Sequence, residues 1–353
     1  MFDREVAQYR RLLDYGVNIS FVTYGTMKDQ EYADRIPGIQ ICCNRWNLPG
    51  WLYERFLPWL HASHLKHADI IKTNQTNGAD IAQRSAQMWD KPLIARCGYM
   101  WSFNSAKEYG DVSLEVQTAR DVETKVFGSA DRIVVTTPKM ASDIAFKFPD
   151  VAERIFVIPN YVETDRFAPI ANSQRTYDVI FVGRISPEKN LGALLNAVHL
   201  LNVKTVIIGE GGLRHKFQGQ YASSKDRLSF LGNVPNSDLP LYLNNARIFI
   251  LPSLYEGHPK ALLEAMACGM PVIGANSPGI RDILIHGENG WLCETDTESI
   301  KNAIRHLLSN PELCKKLGDN ARKYALDTVS LDRIIEMEMN VYLSILGDFN
   351  GIQ

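Results

Sequence analysis

The chain has 353 residues, 45% hydrophobic and 22% charged, and its 38 Lys and Arg against 40 Asp and Glu leave a net charge of -2. That composition excludes disorder, collagen and long coiled coil, and neither half carries the basic excess that a duplex backbone demands, so no nucleic-acid partner is expected. The length implies about two domains, each large enough for its own core, with a cleft between them.

The first twenty residues carry Asp3, Arg4, Glu5, Arg10, Arg11 and Asp14 where a signal peptide would need an apolar core. No run of about 18 apolar residues occurs. A cytoplasmic protein is expected, at most peripheral to the inner face of the membrane. Short β-branched runs then alternate with helical patterns, which predicts α/β architecture with parallel sheets. In the first half the strands fall at Asn18 to Thr23, Ile39 to Cys43, Ile70 to Thr73, Pro92 to Arg96, Arg132 to Thr136 and Ile155 to Ile158. Helices are predicted over Glu5 to Leu13 and Thr118 to Phe127. A doubly wound domain opens with a strand and a Gly-rich turn, yet this chain enters a helix at once, so the first strand of the N-terminal domain reads as missing.

A polar stretch from Glu163 to Thr176 suits an interdomain linker. The pattern restarts beyond it, with strands at Asp178 to Val182, Lys204 to Ile208, Leu228 to Phe230, Ile248 to Leu251 and Pro271 to Gly274. Leu331, Ile334, Ile335, Met339, Tyr342 and Leu346 keep helical spacing to the end. The six cysteines show no CxxC and no paired Cys/His spacing, so neither a zinc site nor a disulfide framework is predicted.

Two stretches carry chemistry. In Asp178-Val-Ile-Phe-Val-Gly-Arg-Ile-Ser-Pro-Glu-Lys-Asn-Leu191 an apolar strand runs into Gly183 and Arg184, with Ser186 as an N-cap and Pro187 at the first helical position. Free N–H groups at a helix start, beside Arg184 and Lys189, suit a diphosphate. An ordinary turn with solvated charges reads equally well from this segment alone. In the second stretch, from Leu251 to Ile273, a strand ends at Pro252 and a loop carries Glu256, Gly257 and His258. A short helix follows from Pro259 to Gly269. Gly257 permits close ligand approach. Glu264 lies among Leu262, Leu263, Ala265 and Met266, where an acid costs energy unless it meets a specific partner. Sugar or ribose hydroxyls are such partners, and the bland alternative is a Glu264 that faces solvent.

The pair Glu256 and Glu264, followed by Ala-Met-Ala-Cys-Gly-Met-Pro-Val-Ile, resembles the E-x7-E signature of retaining glycosyltransferases of the family 4 type. The Gly183 to Asn190 segment is similar to that family's phosphate-binding stretch. Leu231 to Pro235, Ile248 to Ser253 and Gly287 to Leu292 match its flanking elements. The resemblance implies a GT-B fold: two Rossmann-like doubly wound domains facing a cleft. The acceptor-side domain would span residues 1–165 and the nucleotide-sugar domain residues 166–330, with a helix over 331–353 packing back on the first. It implies a nucleotide-sugar donor as substrate and no further cofactor. Gly183, Arg184 and Lys189 would hold the diphosphate, Glu264 the ribose, and Glu256 with the backbone around Gly257, His258 and Pro259 the sugar; Arg184, Lys189 and Glu256 would carry the catalysis. It further implies transfer of a hexosyl unit to an acceptor hydroxyl (glycan, lipid-linked sugar or small molecule) with retention. The chain has no Asp-x-Asp tripeptide, so no metal is expected.

Other segments are less specific. Where the family has a first-domain histidine, this chain has Arg96 and Cys97. Trp46, Trp51 and Trp59 lie in a segment that reads as a core helix interrupted by Pro58, with an acceptor surface or a membrane contact as the alternative. Gly209-Glu-Gly-Gly212 fits loop geometry beside the donor, and Asn276 to Asp282 a nearby loop. Competing functions are another GT-B enzyme, an epimerase or phosphorylase, and a catalytically inactive sugar-nucleotide binder or truncated fragment.

Overall fold

The computed structural model describes the backbone of residues 2–350 and the side chains of residues 4–347. The chain divides into two compact units. A leading unit comprises Glu5–Pro159 and Ile335–Gln353, and a trailing unit comprises Met1–Arg4 and Asn160–Ile334. The chain thus passes between units after Arg4, after Pro159 and after Ile334. Glu163 to Thr176 is no free linker: it belongs to the trailing unit, with Phe167 buried and the Thr164 and Phe167 carbonyls accepting from Arg322 Nη1 at 3.0 and 2.7 Å.

The leading unit opens with the helix Phe2–Asp14, followed by β1 (Ile19–Thr26), β2 (Ile39–Asn44), β3 (Ile71–Lys72), β4 (Leu93–Cys97), β5 (Arg132–Val135) and β6 (Ile155–Val157). All its ladders are parallel, but they form two sheets, β1-β2 and β3-β4-β5-β6. Tyr53, Phe127, Ile133 and Val135 are fully buried in its core. Charge is buried here too. Lys72 Nζ lies 2.5 Å from Glu338 Oε2 and donates to the Tyr342 hydroxyl at 2.9 Å, and Gln8 Nε2 donates to Glu338 Oε1 at 2.8 Å. Burial lowers the Lys72 pKa; burial opposes ionisation of Glu338, yet the Lys72 charge and hydrogen bond bring its carboxyl below the usual range.

The trailing unit has one sheet, built from β7 (Tyr177–Val182), β8 (Thr205–Ile208), β9 (Leu228–Gly232), β10 (Ala246–Leu251), β11 (Val272–Ala275) and β12 (Trp291–Cys293). Its order is β9-β8-β7-β10-β11-β12, all parallel. Val179, Ile180, Phe181, Val206, Ile207, Ile248, Phe249, Ile250 and Ile273 are fully buried. Continuous apolar strands of this kind need helices on both faces. This is the doubly wound order 3-2-1-4-5-6, which reverses between β7 and β10 and leaves a crevice at their carboxyl ends.

Candidate functional site

The loops that leave β7 and β10 bring the sequence-selected residues together at this reversal. After β7 the chain turns through Gly183 and Arg184 into a short 3-10 turn, Pro187–Lys189. Ser186 precedes it but caps no helix: its hydroxyl donates to Glu188 Oε1 at 2.5 Å. The helix itself is Leu191–Leu201, entered through Asn190 in the left-handed conformation. Asn190 Nδ2 donates to the carbonyls of Pro252 at 3.2 Å and Thr295 at 2.8 Å, and Leu254 N donates to Glu188 O at 2.8 Å. The turn is thereby fastened to the loop after β10.

Lys189 Nζ lies 2.6 Å from Glu256 Oε1, with only 19% and 9% of the two side chains exposed. An ion pair this sheltered is fixed in direction far better than a surface pair. Glu256 is held from behind as well, since its N–H donates to Pro278 O at 2.9 Å. Arg184 is exposed and makes no hydrogen bond or ion pair among the described residues. Glycines let the loops meet: a Cβ on Gly209 (φ +136°) would lie 1.9 Å from Gly183 O, and one on Gly279 (φ +81°) 2.2 Å from Glu256 O.

The helix Lys260–Ala267 starts after Pro259 and carries Glu264, which is 3% exposed, and this excludes the solvent-facing alternative. Arg4 Nε lies 2.9 Å from Glu264 Oε1, and Asn236 Nδ2 donates to the same oxygen at 3.5 Å. Oε2 has no hydrogen-bond partner, and Arg4 Nε approaches Oε1 without hydrogen-bond alignment. Burial pushes the Glu264 carboxyl up, against the Arg4 charge, the Asn236 bond and Lys260, while Glu163 adds to the rise. His258 is tied to Asn160: its Nδ1 accepts from Asn160 N at 3.3 Å and its carbonyl from Asn160 Nδ2 at 2.8 Å. It anchors the loop to the entry of the unit.

Residues 163–324 match the family model described as Glycosyl transferases group 1, and residues 7–166 the model described as Glycosyltransferase Family 4. The chain belongs to the family 4 type of glycosyltransferases. It is similar to a D-inositol 3-phosphate glycosyltransferase of Salinispora arenicola, 24% identical over 94% of this chain and 84% of that protein. It is also similar to an MMP alpha-(1->4)-mannosyltransferase of Mycolicibacterium hassiacum, 24% identical over 76% of this chain and 62% of the relative, so the match spans about three fifths of that protein. Sucrose-phosphate synthase from Thermosynechococcus elongatus shares the fold at TM-score 0.81 and 20% identity, covering 97% of this chain and 92% of that one. HepE from Anabaena, solved in complex with UDP and glucose, does so at TM-score 0.77 and 17% identity over 97% and 95% of the two chains. At such identities the structural likeness shows the fold, GT-B with two Rossmann-like domains.

In the leading unit of this glycosyltransferase the other candidates resolve differently. Cys97 is fully buried, its Sγ donates to Tyr99 O at 3.1 Å, and burial pushes the thiol up to about 12. It is no reactive thiolate. Arg96 lies at the end of β4 with its N–H on Thr73 Oγ1 at 3.0 Å. The tryptophan segment is not core: in the helix Gly50–Leu60 the buried residues are Tyr53, Leu57 and Pro58, while Trp51 is 70% and Trp59 55% exposed, beside an exposed Phe56. Sequence reasoning also missed Arg4, Asn160 and Asn236. Arg4 meets Glu264 across 260 positions, a pairing with no local signature.

Proposed function

We propose that the chain transfers a hexosyl unit from a nucleotide sugar to an acceptor hydroxyl with retained anomeric configuration and without a metal. The Lys189–Glu256 pair at the β7/β10 crevice, with Glu264 eight residues beyond Glu256, carries this reading. Arg184 and Lys189 balance the charge that grows on the departing diphosphate. Glu264 accepts from the ribose hydroxyls, and Glu256 orients the sugar with the Gly257 to Pro259 backbone. The bond from the anomeric carbon to the diphosphate oxygen breaks as the acceptor oxygen bonds the same face of that carbon. The acceptor proton passes to a donor phosphate oxygen, and the nucleoside diphosphate leaves.

The acceptor is a glycan, a lipid-linked sugar or a small molecule. Exposed Trp51, Phe56 and Trp59 support a peripheral membrane contact, since such side chains favour the bilayer interface. Incubation with UDP-, GDP- and ADP-sugars in the presence of EDTA tests the proposal. Release of one nucleoside diphosphate, with the donor's α or β configuration kept in the product by NMR, is expected. Inversion, strict dependence on a divalent ion, or donor isomerisation without transfer would each overturn the corresponding part. Sedimentation with anionic vesicles, lost in a Trp51→Ala/Trp59→Ala variant, tests the membrane contact.

A further inference from the structure

Glu264 presents an unusual combination. Its side chain is 4% exposed, one carboxylate oxygen has a cation 2.9 Å away, and the other has no hydrogen-bond partner among the described residues. A buried carboxylate oxygen left without a donor is costly, and native interiors rarely tolerate one that nothing ever satisfies. We propose that Arg4 is a positioning residue for Glu264: its guanidinium sits beside Oε1 and balances the carboxylate charge, which leaves Oε2 to accept a hydroxyl of the donor's ribose. This rests on the assignment of Glu264 to the ribose made above.

Arg4 is itself held in place. Its carbonyl accepts from the Tyr161 hydroxyl, and it belongs with Glu264 to the trailing unit. The other groups that face the carboxylate act more weakly. Asn236, from the loop after β9, is 3.5 Å away; Lys260 is on the same helix and favours the charge; Glu163 opposes it; and the Cys268 thiol, itself pushed up to about 12, contributes no cation. The Arg4 charge opposes the effect of burial more strongly than any of these neighbours, so without it Glu264 takes up a proton at higher pH. A protonated carboxyl spends one oxygen as a donor and accepts poorly from a diol.

Calorimetric titrations of UDP, GDP and ADP, each with its 2′,3′-dideoxy counterpart, into wild type, Arg4→Ala, Arg4→Lys and Glu264→Gln test this. Whichever diphosphate binds the wild type is expected to bind Arg4→Ala roughly tenfold or more weakly. The loss should vanish with the dideoxy compound. The acid limb of binding should move to higher pH, and Arg4→Lys should recover most of the affinity. Unchanged or tighter binding by Arg4→Ala overturns the proposal and makes Arg4 a competitor of the donor instead. An equal loss with the dideoxy compound also overturns it, because Arg4 then acts elsewhere than through the diol. If the wild type binds the dideoxy compound as well as its parent, or Glu264→Gln loses nothing, the ribose assignment itself fails and takes the role of Arg4 with it.

Discussion

Lys189 and Glu256 are each other's closest charge, and both are mostly withdrawn from water. Removing one partner leaves the other charge uncompensated while keeping the loop backbone bonds that fasten the turn. Lys189→Met is therefore expected to fold and to lower donor turnover by about 10² to 10³, the range for a preorganised electrostatic contact; steady-state assays with the accepted donor check it, and near-normal turnover would remove Lys189 from the machinery. At Gly279 the constraint is steric. A left-handed φ of +81° and a Cβ 2.2 Å from Glu256 O mean that Gly279→Ala must push the Glu256 backbone. A loss of about 1–3 kcal/mol in urea unfolding, with a raised donor KM, is expected.

Among the elements, the helix Gly50–Leu60 shows how a buried face sets a pH limit. His61 follows it, 5% exposed, with its Nε2 2.8 Å from the hydroxyl of the fully buried Tyr53. Burial, helped by the charges of His64 and Arg45, lowers the His61 pKa from 6.5 to about 4. The unfolded chain then binds the proton that the native ring refuses. Stability associated with His61 is therefore present above pH 6.5 and lost as the pH falls from 6.5 towards about 4. Thermal midpoints measured across that window should fall in the wild type and fall less in His61→Gln; parallel curves would show that the ring does not set the limit. The same helix marks what was legible in the sequence. Strands such as β7, β8, β10 and β11 were readable because apolar β-branched runs end in Gly or Pro. The Trp segment was misread because composition counts aromatic residues without saying which face they occupy. β12 escaped because Trp291–Cys293 contains no β-branched residue, the signal that revealed strands as short as β3 and β6. The E-x7-E helix was legible for the opposite reason: an acid inside an apolar run is a local anomaly. Arg4 was not, since nothing near it in sequence asks for a carboxylate.

At the scale of the molecule, the leading unit contains a charge whose partner lies far along the chain. Lys72 and Glu338 are separated by 266 residues, and their side chains are 12% and 1% exposed. Glu338→Leu alone should cost roughly 3–5 kcal/mol because it strands a buried ammonium. The double variant Lys72→Met/Glu338→Leu should recover most of that loss, since a buried pair replaced by apolar side chains is often neutral. Urea titrations of both variants, followed by tryptophan fluorescence, distinguish the cases; a double variant no better than the single would mean that the pair also sets the geometry of Gln8 and Tyr342.

The three passages of the chain between its units bear on the order in which the protein is made. Domains as a rule fold in the order of their synthesis. Here the helix Leu331–Asn350 supplies the leading unit with Glu338, yet it is translated after every strand of the trailing unit. On the ribosome, Lys72 waits for its counterion until the last helix emerges. The unit whose strands are translated first thus receives Glu338 only after the strands of the trailing unit, and during that interval Lys72 is left without its counterion.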